Sequence, residues 1–274
     1  MKSSLAGGSF LNAAGCAALP WLVLLAAFAA IGQARGSALR LEEGVARNPR
    51  SAVELFREQH LVRSAGDQAI ERLVIYRCPD GTAFGRKRID YRDSALAPAF
   101  SLEDLRSGYR EGLRRDAAPA LFFRPDHKSA ERSAPLASTR LVADAGFDEF
   151  IRLQWSRLVA GETVPLEFAV PSRLRSLPFS VTRARETVLL GEKAWVFTLK
   201  LNGLLGWLVP AIEVSYGQLS RRLLRFEGLS NLRDDSGDQP LVARIDFAAP
   251  ARSASEEQWQ AALKAPLSAC RAGR

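Results

Sequence analysis

Residues 193–201 read KAWVFTLKL. Trp195, Phe197, Leu199 and Leu201 take every second position, with Thr198 and Lys200 between them. Successive side chains of an extended chain point to opposite faces, so a period of two sorts this segment into an apolar face and a polar one. The same sorting repeats on either side. Upstream, Val164, Leu166, Phe168 and Val170 share a face. Downstream come Ile212, Val214 and Tyr216, then Leu224 and Phe226, then Leu241, Ala243, Ile245 and Phe247, alternating with Glu213, Ser215, Arg225, Arg244 and Asp246. Half-buried antiparallel strands carry this pattern. Gly191-Glu192, Tyr216-Gly217-Gln218 and Asp234–Asp238 are connections of hairpin length.

The earlier part of the chain also reads as strands. Ile70–Arg77 (IERLVIYR) is β-branched and apolar on both faces, and Phe84–Tyr91 (FGRKRIDY) returns after Cys78-Pro79-Asp80-Gly81. Proline presets φ and Asp-Gly suits positive φ, so these runs predict a hairpin. Tyr109–Arg115 and Ala120–Arg124 are further strand candidates, and 125–139 reads as a loop or ragged edge. One segment changes period: Phe147, Phe150, Ile151, Gln154, Trp155 and Leu158 fall on one helical face, with Asp144 placed to cap the helix and Gly161 to end it. A C-terminal helix is expected over 254–264, with Ser253 and Glu256 at capping-box spacing and Trp259, Ala262 and Leu263 on its apolar face. Strands, a helix, strands and a helix predict a mainly β fold: a curved antiparallel sheet or half-barrel, with the helix at about 146–160 on its concave face and a C-terminal helix.

Residues 17–31 (AALPWLVLLAAFAAI) carry no charge, and Lys2 is the one charge before Arg35. A basic start, a short apolar run and Gly32-Gln33-Ala34 have the form of a secretory signal peptide spanning 1–34; an uncleaved inner-membrane anchor over 17–31 is the alternative. Cys16 precedes most of that run, whereas a lipoprotein acceptor cysteine follows it. Residues 35–65 read as a linker and a short helix near 50–60, and 66–274 as a single β-rich domain. The expected location is the periplasm or the medium. There an oxidising environment favours pairing of Cys78 with Cys270 over two separate thiols.

The formal net charge is +8, from 38 basic and 30 acidic residues, and only six of the basic ones are lysine. The arginines are spread along the chain, with clusters at Arg86-Lys87-Arg88, Arg114-Arg115 and Arg221-Arg222. A solvated surface and attraction to anionic headgroups both fit this distribution. Aromatic–basic RNA motifs are missing, and no nucleic-acid partner is expected. The sequence contains no Gly-x-Ser-x-Gly elbow, no His-Glu-x-x-His and no phosphate-binding loop. With two histidines, a three-histidine metal site is ruled out; no metal or cofactor is expected. His60 is placed on a surface helix and His127 in a proline-containing loop, leaving a Cys78–His127 pair as a remote nucleophilic candidate. Asp234–Asp238 is acidic but lacks the register of a calcium loop. Residues 203–212 (GLLGWLVPAI) are uncharged where a hairpin connection is normally polar, so this loop either joins the core or meets a membrane or cavity mouth.

The Ile70–Tyr91 hairpin with its Cys-Pro-Asp-Gly turn, together with the strands from Lys193 to Phe247, resembles an uncharacterised group of proteobacterial periplasmic proteins. Their architecture is similar to the carriers and outer-membrane receptors of the lipoprotein-localisation system. The resemblance implies a curved half-barrel whose apolar concave face accepts acyl chains. On that expectation Trp155, Trp195, Phe197, Trp207 and Leu208 are the ligand-binding candidates, and the partner is a lipid or a lipoprotein acyl chain, with peripheral membrane contact. No catalytic residue is expected. The alternative is an assembly factor that binds an envelope protein at a sheet edge; an undetected hydrolase is the third. An open apolar cavity would favour the first, a tightly filled space beneath the helix the second, and a cleft with converging carboxylates the third.

Overall fold

The strands that the period-two runs predict are present, and they join into one sheet. The computed structural model describes residues 38–116, 118–136, 138, 140–203 and 210–271. Among them, β1 (Ala38–Arg47), β2 (Glu54–Ala65), β3 (Gln68–Arg77), β4 (Ala83–Asp90), β5 (Ala99–Asp104), β6 (Tyr109–Arg114), β7 (Ala120–Arg124) and β8 (Arg132–Pro135) follow each other as antiparallel neighbours. After β9 (Leu141–Val142), α1 (Gly146–Leu153) and α2 (Trp155–Val159) come β10 (Val164–Val170), β11 (Arg175–Leu189), β12 (Glu192–Leu201), β13 (Ile212–Gly217), β14 (Leu223–Arg233) and β15 (Pro240–Asp246). Pairing of β1 with β15 unites the two series, and the strand order runs from β8 at one end to β9 at the other. The short β16 (Arg252–Ser253) pairs with β1, and α3 (Glu256–Lys264) closes the described chain. The β9–β10 pair is parallel, an exception to the antiparallel expectation.

Residues 35–65 depart from the expected linker and helix: their described part forms β1 and β2. The reason lies in two-sided burial. Phe56 and Val62 point to the concave side, and Leu61 lies on the opposite face under α3, so apolar residues occur on both phases and the period is hidden. Glu58 and His60 then break the apolar phase further. The Cys78–Gly81 hairpin forms as expected, with Gly81 at φ +91° and its N–H donating to the Cys78 carbonyl at 2.8 Å.

The 146–160 segment is two short helices broken at Gln154 (φ −93°, ψ 9°). Its N-cap is Ala145, without a side-chain cap, because the Asp144 carboxylate is engaged elsewhere. The C-terminal helix is capped one step later than expected, by Ser255 with Gln258 in a reciprocal capping box. α3 covers the convex side: Trp259 and Ala262 sit on Leu41, Leu61, Leu73 and Ile75. α1 and α2 cover the concave side, where Ile151, Trp155 and Leu158 pack on Val164, Val181, Phe197 and Val214. A further apolar cluster joins Ile89, Phe100, Leu113 and Leu121 of the first half to Leu141 and Ala169 of the second, so the sheet curls until its two end regions share a core.

Candidate functional site: the filled concavity

Cross-strand register places Glu42, His60, Val74, Lys87, Leu102, Glu111 and Phe123 in one row across the concave face of β1–β7. A row with this much charge has to be paired if it is to be buried. The start of α1 supplies the partners. Lys87 Nζ donates to Asp144 Oδ2 at 2.9 Å, and Asn231 Nδ2 of β14 donates to the same oxygen at 2.9 Å. Asp144 has φ +45°, a left-handed conformation held by these two tethers. One turn on, Asp148 accepts from Tyr216 Oη of β13 at 2.6 Å and lies 3.5 Å from Arg72 Nη1 of β3. The α1 entrance is therefore bonded to strands from both halves of the sheet. Nearby, His60 Nε2 and Glu58 Oε2 are 2.9 Å apart, and Tyr109 Oη donates to Glu111 Oε2 at 2.6 Å.

Burial dominates the electrostatics of this layer. It pushes the Glu111 carboxyl up to about 7, helped by the nearby Asp144 charge and opposed by the Tyr109 hydrogen bond and by Lys87. Burial would lower the Lys87 ammonium, but Asp144, Tyr76 and Glu58 outweigh it and its pKa stands above the ordinary lysine value. Burial would likewise raise Asp148, and here Arg72, Arg152 and the Tyr216 hydroxyl hold the carboxyl below its usual range. His60 Nδ1, Arg72 Nε, Tyr91 Oη and Asp144 Oδ1 are buried without a hydrogen-bond partner among the described residues.

The aromatic candidates meet in the other half of the concavity. The Trp155 ring stands edge-on to Phe197 at 5.7 Å and to Tyr216 at 6.5 Å. Phe197 is wholly buried. Trp195 is half-buried, with the Arg183 guanidinium 4.7 Å over its ring. Trp207 and Leu208 lie outside the described residues, as does the 1–34 segment. Cys78 and Cys270 form a disulfide, with Cα atoms 6.4 Å apart. This removes the thiol that a Cys78–His127 nucleophile requires, and it accounts for the Cys78–Asp80–Cys270 group, whose side chains otherwise resemble metal ligands. His60 is not on a surface helix: it is buried on β2, 5.5 Å from the Phe247 ring. Asp234 spends its carboxylate on its own turn, accepting from Ser236 Oγ and from the Asp238 amide.

The polar row has a faint signature in the sequence. Lys87 is in phase with Ile89 on β4, and Glu58 and His60 are in phase with Phe56 and Val62 on β2; a charge on the apolar phase of a strand marks an interior partner. Which partner it meets is a matter of tertiary contact.

No protein-family model matches the chain, and no curated protein matches it. Among solved structures it is similar to the crystal structure of a β-barrel-like protein, a domain of unknown function (DUF1849), from Brucella abortus. The identity is 7% and the TM-score 0.49, over 79% of this chain and 98% of that one.

Proposed function

We propose that the protein is an exported, non-enzymatic envelope component that acts as an assembly factor, binding a protein partner by strand addition at the β8 edge of its sheet. The observation that carries this reading is the occupied concavity. The face that would receive an acyl chain is covered by α1 and α2, which are held by edge-on aromatic contacts and by the Asp144 and Asp148 bonds. Lipid entry there would have to break buried ion pairs, each strongly unfavourable to separate. The apolar run 17–31 and the Cys78–Cys270 bond support an oxidising compartment outside the cytoplasm. β8 pairs with β7 on one side and ends the strand order, with Arg132, Ser133 and Pro135 exposed. Unpaired backbone groups of an edge strand template a further strand. Pro135 lacks an N–H and sets the limit of such pairing.

A photo-crosslinking residue at position 133, expressed in cells, tests this against the same residue at the exposed Glu186 of β11. A discrete adduct from 133 alone, with no lipid retained in native mass spectrometry, is expected. Stoichiometric retained lipid and no adduct from 133 would return the acyl-chain reading to first place.

A further inference from the structure

We propose that the convex face of β4–β6 carries a binding site for a phosphate-type dianion, built by Arg86, Arg88, Arg110 and Ser101. These residues line a groove of about 220 Å³ together with Leu102 and Glu103. The site lies in the two register rows that flank the concave row, on the opposite face of the sheet.

Strand register builds it. Arg86 pairs with Glu103 and Glu103 with Arg110, while Arg88 pairs with Ser101 in the adjacent row. Three guanidiniums thus surround one carboxylate and one hydroxyl on a surface where each strand contributes a single layer. The carboxylate does not neutralise them. Glu103 lies 3.4 Å from Arg86 and is half exposed, and Arg110 reaches Glu131 only at 3.6 Å. Arg88 has no acidic partner among the described residues. Exposed arginines elsewhere differ in this respect: Arg185 is closed on Glu213 at 2.7 Å, Arg252 on Glu43 at 2.8 Å and Arg157 on Glu162 at 2.7 Å. The groove lining holds three guanidiniums against the Glu103 carboxylate, with Glu131 beside Arg110 shared with Arg114, so positive charge is in excess and suits an anion such as phosphate.

The groove is also held in place. Arg86 donates to the Ala265 carbonyl just after α3, and the Ser268 amide donates to the Ala83 carbonyl at 2.8 Å. The tail that makes these bonds is anchored by the Cys78–Cys270 bond. Arg86 is therefore mostly buried and unable to swing into solvent away from Arg88. Burial lowers its guanidinium pKa, the Glu103 charge opposes this, and Arg88 adds a smaller lowering as a neighbouring like charge. A tetrahedral dianion relieves that repulsion, and guanidinium forks match its oxygens. The Ser101 hydroxyl adds a neutral donor. Inorganic phosphate and a phosphomonoester lipid headgroup share this chemistry.

Calorimetric titration of the purified protein with inorganic phosphate at low ionic strength tests the site. A single saturable event is expected, weakening by about tenfold or more in Arg88→Gln and in Arg110→Gln, as loss of a charge-assisted bond implies. Arg185→Gln is expected to leave it unchanged, and Arg88→Lys to restore it in part. Urea midpoints equal to wild type certify each variant's fold. Co-sedimentation with phosphatidic-acid vesicles, against phosphatidylcholine vesicles, separates the two sources. Vesicle binding that phosphate competes away and Arg88→Gln abolishes identifies a headgroup; phosphate binding with vesicle behaviour indifferent to Arg88→Gln identifies free phosphate. No saturable phosphate binding, or binding that Arg88→Gln and Arg110→Gln leave intact, overturns the proposal.

Discussion

Glu111 makes stability depend on pH in a direction opposite to that of an ordinary ion-paired carboxylate. It sits on β6, 4% exposed, in the row that also holds Lys87, and its carboxyl titrates at about 7 instead of its ordinary 4.5. Between those values the folded protein keeps a proton that the unfolded chain has released. Folding then takes up a proton, so stability falls as pH rises through the window and the full loss is in place above about pH 7. At 1.36 kcal/mol per pH unit, the interval corresponds to about 3 kcal/mol. Glu111→Gln keeps an oxygen to accept the 2.6 Å bond from Tyr109 and removes the titration. Urea denaturation of both proteins at about pH 5 and about pH 8 reads the difference, and titration of every other group cancels between them. The variant is expected to gain about 2.5 kcal/mol on wild type between those two pH values, the remainder of the window lying below about pH 5. Parallel curves would mean that the Glu111 carboxylate is solvated, and the account of the polar row would fail at its centre.

Lys87→Met leaves the Asp144 charge buried with Asn231 as its remaining donor, and is expected to cost about 3–5 kcal/mol; Lys87→Met with Asp144→Asn should recover much of this, so a double-mutant cycle in urea should be strongly non-additive. Trp155→Ala removes the edge-on contacts to Phe197 and Tyr216 and is expected to cost roughly 3–5 kcal/mol by the same melts; a loss near that of an exposed residue would place the helix off the sheet. Reducing Cys78–Cys270 opens a 192-residue separation and should lower stability by up to about 5 kcal/mol, with two new thiols titrating in the denatured chain. Ser255→Ala should cost about 1 kcal/mol by unsatisfying the Gln258 amide at the α3 N-terminus.

Much of the architecture can be read from the chain because its determinants are local. KAWVFTLKL alternates on its own, Cys-Pro-Asp-Gly turns on its own, and Phe147 to Leu158 marks a helical stripe without help from the rest of the protein. The disulfide is likewise legible once residues 1–34 are taken as an export signal, since Cys78 and Cys270 are then the remaining cysteines. Local rules fail where burial is two-sided. β2 has apolar residues on both phases and two polar ones on the interior phase, so its strand character emerges only when β1, β3 and α3 are beside it. They fail again at Asp144, a plausible helix cap by position, whose carboxylate is instead taken by Lys87 and Asn231, 57 and 87 residues away. The convex arginine groove has the same origin: Arg86 and Arg88 share β4, but Arg110 is on β6, and register across β5 sets all three around Glu103. Period and turn chemistry act over a few residues and are written in the sequence; the pairing of buried charges depends on which strands the curled sheet brings within about 3 Å, and only the tertiary structure decides that.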